Sequence, residues 1–363
     1  MQSALGSSGV AESGPPPKST SAQDLQHIQA KMQPGHKPGL LQTLAAWYYV
    51  LSFALGIYCW IFCIWLCTKL PLLWPALVAY TVYLYTAGVA PTQDGSWPLR
   101  LRNLALWRWL AAYFPARLHK TVDLPPDRSY IFCAHPHGIV SFSIWLSFAT
   151  WALGFNRLFP GLDCRLLTLA INFRCPLLHS YLLWNGLCDV SKRSCLNLLR
   201  RGKSVAIAVG GGTESLYAAP GKNDLVLSRR KGFVKIALRT GASLVPVYCF
   251  GENNTFRTAN ELPPESRIRK VQRRMTQLAG FTLPLYFGRG FFLPWGFLPF
   301  PVPLDVVVGE PVHVQKFEGS ESSGEFDALV DKYHAQYVVA LQKLFEDNRH
   351  KFAKGEADLR LVE

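Results

Sequence analysis

Two apolar runs near one end of the chain restrict its possible folds more than any other feature. No charged residue occurs from Leu44 to Cys67, Lys69-Leu70-Pro71 interrupts, and Leu72 to Val89 is again uncharged and apolar. A helix of about 20 residues crosses the hydrocarbon core of a bilayer, so the pair is expected to form a transmembrane helical hairpin over residues 39–93. Pro71 and Pro75 suit the first turn of the second helix, where a missing amide proton costs little. Trp47, Tyr48, Tyr49, Trp74, Tyr83 and Tyr85 lie toward the ends of the runs, as interfacial aromatics do. Lys31 and Lys37 precede the hairpin and Arg100, Arg102 and Arg108 follow it, against the single Lys69 at its turn. That bias places both flanks in the cytosol. A buried hairpin of a soluble protein is the competing reading, but two adjacent charge-free runs of this length are rare in soluble cores. Residues 1–38, rich in Ser, Gly and Pro and lacking an apolar period, are expected to be a disordered leader. The apolar run begins too late for a secretory signal.

Residues 94–363 change character, with basic side chains among shorter apolar runs. Tyr130–Ala134, Ser204–Val209, Leu244–Phe250 and Val306–Val308 read as buried strands that end in glycine-rich or polar loops. Ser194–Arg200 and Gly232–Arg239 read as helices between them. Alternating strand and helix gives an α/β fold, a mixed sheet flanked by helices, with a site at the strand ends. Gly138–Asn156 is charge-free and fits a core helix, a third membrane contact or the wall of an acyl-chain tunnel. Phe281–Leu304, broken by Pro and Gly, suits an interfacial lid, and Glu325–Lys351 a closing amphipathic helix capped by its Ser/Gly-rich approach. The nine cysteines include no Cys-x-x-Cys, and Cys59, Cys63 and Cys67 share one helical face. They read as reduced thiols facing the cytosol, with no disulfide framework and no metal site.

Charge narrows the partners. Only 17% of residues are charged, yet the formal net charge is +14, which requires an acidic partner: nucleic acid, anionic lipid or a phosphorylated ligand. Basic residues interleaved with long apolar runs and a membrane hairpin argue against nucleic acid and for membrane lipids.

Three groups of residues have the chemistry of a site. His135 and His137 bracket Pro136, one read as a base and the other as its support. His137 is favoured as the base because Gly138 beside it allows close approach of a substrate and has an N–H to offer an oxyanion. An imidazole near neutral pKa is suited to taking the proton of an attacking alcohol. The spacing alone fits a structural or zinc-binding histidine pair equally well. Gly210, Gly211, Gly212, Thr213, Glu214 and Ser215 follow a strand and can present amides to a phosphate or an oxyanion; a plain turn is the alternative. Glu214 is read either as orienting an imidazole or binding an acceptor hydroxyl, or as a solvated surface carboxylate. Basic residues gather nearby, Lys192 to Lys203 and then Arg229, Arg230 and Lys231, and suit the phosphates of coenzyme A or an anionic bilayer surface.

In order and spacing, several motifs resemble those of the type 2 diacylglycerol acyltransferase family, which also holds monoacylglycerol and wax-alcohol acyltransferases. They are Tyr113-Phe114-Pro115, His135-Pro136-His137-Gly138, Gly211–Ser215 with Pro220-Gly221-Lys222-Asn223, Arg230-Lys231-Gly232-Phe233, Val245-Pro246-Val247, Phe250-Gly251-Glu252-Asn253 and Gly309-Glu310-Pro311. The resemblance runs from about the hairpin to Val314. It implies an enzyme of the endoplasmic reticulum membrane and lipid droplet that moves a fatty acyl group from acyl-CoA to diacylglycerol, forming triacylglycerol. Acyl-CoA would be a co-substrate and no cofactor would be required; Asn253 enters as a substrate-binding residue through the same motif. Monoacylglycerol or a long-chain alcohol is the alternative acceptor, and a catalytically silent lipid-binding scaffold the alternative of another class. Homo-oligomer formation is left open.

A distant relation to glycerophosphate-type acyltransferases, also implied, carries two departures. Those relatives have His, four residues, then Asp, whereas Val140 and Phe142 stand at the corresponding positions here. Where they have an Arg that meets an acceptor phosphate, this chain has Glu214 after Gly211-Gly212-Thr213. An acidic residue there repels phosphate and favours an uncharged acceptor.

Overall fold

The computed structural model describes residues 37–52, 55–263, 265–279, 285–291 and 295–362; the expected leader lies outside them, and the expected lid lies partly outside. At its centre is a seven-stranded sheet. Its strands are β1 (Arg117–Lys120), β2 (Tyr130–His135), β3 (Cys164–Thr168), β4 (Leu187–Asp189), β5 (Ser204–Ala208), β7 (Ser243–Phe250) and β10 (Asp305–Val308). Between and after these lie four short strands in two small sheets: β6 (Asn223–Leu225) pairs with β11 (Leu359–Leu361), and β8 (Arg257–Thr258) with β9 (Tyr286–Phe287). The large sheet runs β1-β10-β7-β2-β5-β3-β4. β7, β2, β5, β3 and β4 are parallel, and β10 joins β7 antiparallel. The sheet is therefore mixed, as the sequence led one to expect.

The central strands are continuous apolar runs because both of their faces are covered. Along β2, Tyr130, Phe132 and Ala134 enter one core while Ile131 and Cys133 enter the other. β7 repeats the alternation, with Val245, Val247 and Cys249 on the first side and Leu244, Tyr248 and Phe250 on the second. The second side is covered by helices Lys192–Arg200, Gly232–Thr240 and Gly324–Phe352. In the last of these, Phe326, Val330, Tyr333, Tyr337, Leu341 and Leu344 recur at helical spacing and are buried. Its first turn is capped by Ser323, whose side chain accepts from the Phe326 amide.

The first side is covered by helix Ala105–Tyr113, by the stretch after β2, and by helix Leu40–Ser52. Ala45, Ala46, Tyr49 and Val50 of this N-terminal helix are buried. Tyr49 meets Phe142 and Trp145 with ring centroids 5.1 and 5.3 Å apart. Of the three readings for Gly138–Asn156, the structure matches the core helix over its middle: helical turn Phe142–Ile144 runs into π-helical turn Trp145–Ala149, and every residue of both is buried.

The first apolar run is divided between helices Leu40–Ser52 and Leu55–Lys69, with residues 53–54 outside the description. Among the described residues one helix, Pro71–Asp94, is long and apolar enough to cross a membrane, and only 11% of its most apolar window is buried in the protein. Leu72, at its start, is 94% exposed.

Candidate active site

The end of β2 carries the chain into the His-Pro-His-Gly segment, and the two histidines part company there. His135 is the last residue of the strand and is fully buried. Its Nε2 lies 3.0 Å from the Tyr337 hydroxyl, which donates to the Cys133 carbonyl at 3.1 Å. Because that hydroxyl proton is committed to the carbonyl, Nε2–H of His135 is the donor to the tyrosine oxygen. Burial without a charged partner pushes the His135 imidazole down to about 3. It remains neutral at physiological pH.

His137 is half-buried and lines a cavity of about 180 Å³. The walls are mostly apolar: Ile144, Trp145, Leu166, Leu182 and Leu187 come from the body, and Tyr49 and Ser52 from helix Leu40–Ser52. The His137 Nδ1 lies 3.0 Å from the Gly138 carbonyl oxygen. A carbonyl only accepts, so Nδ1 carries the proton and Nε2 keeps its lone pair. This backbone oxygen fixes the ring in a segment where the sequence has no aspartate to do so. Burial holds the His137 pKa below its ordinary value, and the Gly138 carbonyl opposes that shift.

Two buried carboxylates hold this loop from opposite ends. Glu214 is 1% exposed; it accepts from the His137 amide at 2.7 Å and the Val226 amide at 3.0 Å. It is therefore not a solvated surface group, and it meets the backbone of His137, not its ring. Glu252 is fully buried just beyond β7. It accepts from the Phe142 amide at 3.0 Å through Oε1, and from the Ser143 amide and hydroxyl at 2.8 and 2.6 Å through Oε2. Burial pushes both carboxyls up to about 7, against the pull of their donors. The two glycines that allow the carboxylates in are specific. Gly138 has φ +64°, and a Cβ there would come within 2.5 Å of the Glu252 Cγ. A Cβ on Gly210 would run into the Glu214 carboxylate. Glu252 was visible in the sequence only as a member of a motif, because its partners lie about 110 positions earlier.

The other expected site residues divide. Gly211, Gly212, Thr213 and Glu214 form one short helix, and the Ser215 hydroxyl donates to the Gly212 carbonyl at 2.6 Å. The cavity lining includes Ala208 at the end of β5 but, among the described residues, none of Gly210–Ser215. Arg230 is exposed and reaches this turn, donating to the Thr213 hydroxyl at 3.1 Å. Lys231 instead pairs with Asp331 at 2.6 Å on the surface. Asn253 is buried and donates to the Lys222 carbonyl at 2.9 Å.

A histidine on an apolar cavity and a loop held by two buried acids fit more than one family, and similarity to known proteins decides between them. A family model described as diacylglycerol acyltransferase matches residues 66–362. The chain belongs to this family. It is 41% identical to diacylglycerol O-acyltransferase 2A of Umbelopsis ramanniana over 331 residues, 89% of this chain and 90% of that protein. It is 38% identical to diacylglycerol O-acyltransferase 2 of Danio rerio over 329 residues, 89% of each. Human 2-acylglycerol O-acyltransferase 3 is 40% identical over 349 residues, 94% of this chain and 96% of that protein. No solved structure matches. The family expected from the motifs is thus the family found, and its chemistry is acyl transfer to a neutral glyceride.

Proposed function

We propose that this chain forms triacylglycerol by moving a fatty acyl group from acyl-CoA to the free hydroxyl of diacylglycerol, with His137 as general base. The observation that carries the reading is the position of His137: an imidazole with a free Nε2 lone pair on the wall of an apolar cavity bounded by the N-terminal helix. Nε2 takes the hydroxyl proton as the alcohol oxygen attacks the thioester carbonyl. The tetrahedral oxyanion then collapses, the carbon–sulfur bond breaks, and the imidazolium returns its proton to the leaving thiolate of coenzyme A. The Gly138 amide, beside the base, is the proposed oxyanion donor. Glu214 and Glu252 act as positioning residues by holding the loop through its backbone. Arg230, exposed at the glycine turn, is the proposed partner of the coenzyme A phosphates, whereas Lys231 is paired with Asp331.

The apolar helices anchor the enzyme as a hairpin in the endoplasmic reticulum membrane and on lipid droplets, with both flanks cytosolic. That reading is supported by helix Pro71–Asp94 and by the basic residues on either side of the apolar segment. Monoacylglycerol is the second acceptor to consider, on the strength of the likeness to human 2-acylglycerol O-acyltransferase 3. The test is acyl transfer by the purified full-length protein in proteoliposomes containing equal amounts of diacylglycerol, monoacylglycerol and a long-chain alcohol. Triacylglycerol should dominate the products of wild type and vanish with His137→Ala. Dominance of another product would replace the acceptor, and full activity of His137→Ala would remove the base.

A further inference from the structure

The cavity lined by His137 has a second polar group on its wall, contributed by a different part of the chain. Thr168 ends β3, and Asn172 lies in the 3-10 turn Ala170–Arg174 that follows. Both line the cavity, and Asn172 Nδ2 donates to Thr168 Oγ1 at 3.0 Å. That bond uses one of the two amide N–H groups and one hydroxyl lone pair; the pair keeps a second N–H and the hydroxyl proton. Polar groups half-sunk in an apolar wall lose free energy unless a ligand or water bonds to them.

The same turn has an apolar outer face. Leu169, Ile171 and Leu177 around it are 62%, 57% and 54% exposed. It abuts the helix long enough to cross a bilayer: the Leu177 amide donates to the Tyr80 hydroxyl at 3.3 Å, and the Arg174 guanidinium stands 5.2 Å from the Tyr85 ring centroid. On the membrane anchoring proposed above, this apolar rim would receive a lipid arriving from the bilayer, next to the polar pair.

We infer that Thr168 and Asn172 recognise the ester carbonyls of the acceptor glyceride and so set which class of acceptor is used. The inference rests on the acceptor reading above. When the free hydroxyl of diacylglycerol is at the imidazole, its remaining polar atoms are ester oxygens, which only accept hydrogen bonds and fit an N–H and an O–H. Monoacylglycerol has one ester fewer and an added hydroxyl. A long-chain alcohol has no ester and leaves the pair unbonded, the situation in which a site built for hydrogen bonds discriminates against an analogue.

Thr168→Val and Asn172→Leu keep most of the volume and remove the donors. In proteoliposomes with full-length protein and one acyl-CoA, the double variant should raise the KM for diacylglycerol about tenfold, as expected for lost hydrogen bonds. Its kcat and its KM for acyl-CoA should stay within about twofold of wild type, and Thr168→Ser, which retains the hydroxyl, should stay close to wild type. An unchanged KM for diacylglycerol overturns the inference, as does a fall confined to kcat with a lowered unfolding temperature. A wild type that makes no triacylglycerol overturns the acceptor reading itself, an outcome visible before any variant is measured.

Discussion

His135 and His137 leave the same strand two residues apart and enter different media. His135 is sealed in the core beneath helix Gly324–Phe352, its Nε2 bonded to Tyr337. His137 borders a cavity, its ring held by the adjacent Gly138 carbonyl and its backbone by Glu214. One ring is a structural tie between the sheet and its longest helix. The other has an acceptor nitrogen not used by the loop that holds it. Identical side chains therefore differ in what they can do: one is surrounded by partners of fixed geometry, and the other is held from behind with its Nε2 left to the cavity. Charge on the imidazole is suppressed by burial at both positions, so the distinction lies in access and not in protonation.

The largest expected effect that sharpens this contrast is on stability. His135→Ala should cost about 2–4 kcal/mol, from the space left behind and a stranded Tyr337 hydroxyl, while His137→Ala should cost less than about 1 kcal/mol. Thermal unfolding in detergent measures both, and equal losses would erase the contrast. Glu252→Gln comes next. A glutamine has one acceptor oxygen where the carboxylate uses two, so its NH2 would face a buried amide donor. A stability loss of about 1–3 kcal/mol is expected, together with a fall in kcat that exceeds any change in KM, because the loop bearing the base loosens.

The pH dependence of stability gives a subtler check. Glu214 and Glu252 are both raised to about 7, so the folded state holds their protons more tightly than the unfolded chain does. Their contribution is complete below the unfolded carboxyl range and is lost as pH rises through about 7. His135 and His137 are shifted below 6.5, so the unfolded state takes up their protons first and stability falls as pH drops below that value. The unfolding temperature should therefore change little between the unfolded carboxyl range and about pH 6.5, where the two trends oppose each other, and fall above it; Glu252→Gln should lessen that alkaline fall. The smallest effect belongs to Lys231→Ala, since an exposed ion pair with Asp331 is worth about 0.2–1 kcal/mol. Both unfolding and acyl transfer should stay near wild type.

Much of the sheet was legible because its buried strands are uninterrupted apolar runs. β2, β5, β7 and β10 lie within a residue or two of their expected limits. β1, Arg117–Lys120, escaped because it is an edge strand of mixed polarity, and β4 because it has three residues. Helix Gly324–Phe352 and its cap were readable from period and composition, but nothing in that pattern sets Tyr337 apart from the other buried residues of the stripe. Its partner His135 is 202 positions away, a separation that no local pattern reports. In the sequence the glycine turn suits either a source of amides for a ligand or a plain turn. At Gly210 the structure adds a requirement that no local pattern reports, room for the Glu214 carboxylate, which the turn folds back toward His137. The apolar helices announced a membrane, but the docking of Ala45, Ala46 and Tyr49 onto the body depends on which helix face meets Trp145 and Phe142.

The central claim is that the His137 imidazole takes the acceptor proton, and triacylglycerol formation by His137→Gln beside wild type tests it most directly. Both proteins should unfold at the same temperature, with kcat reduced by about 10²–10⁴-fold and the KM for acyl-CoA little changed. A folded His137→Gln protein that turns over at the wild-type rate would contradict the account.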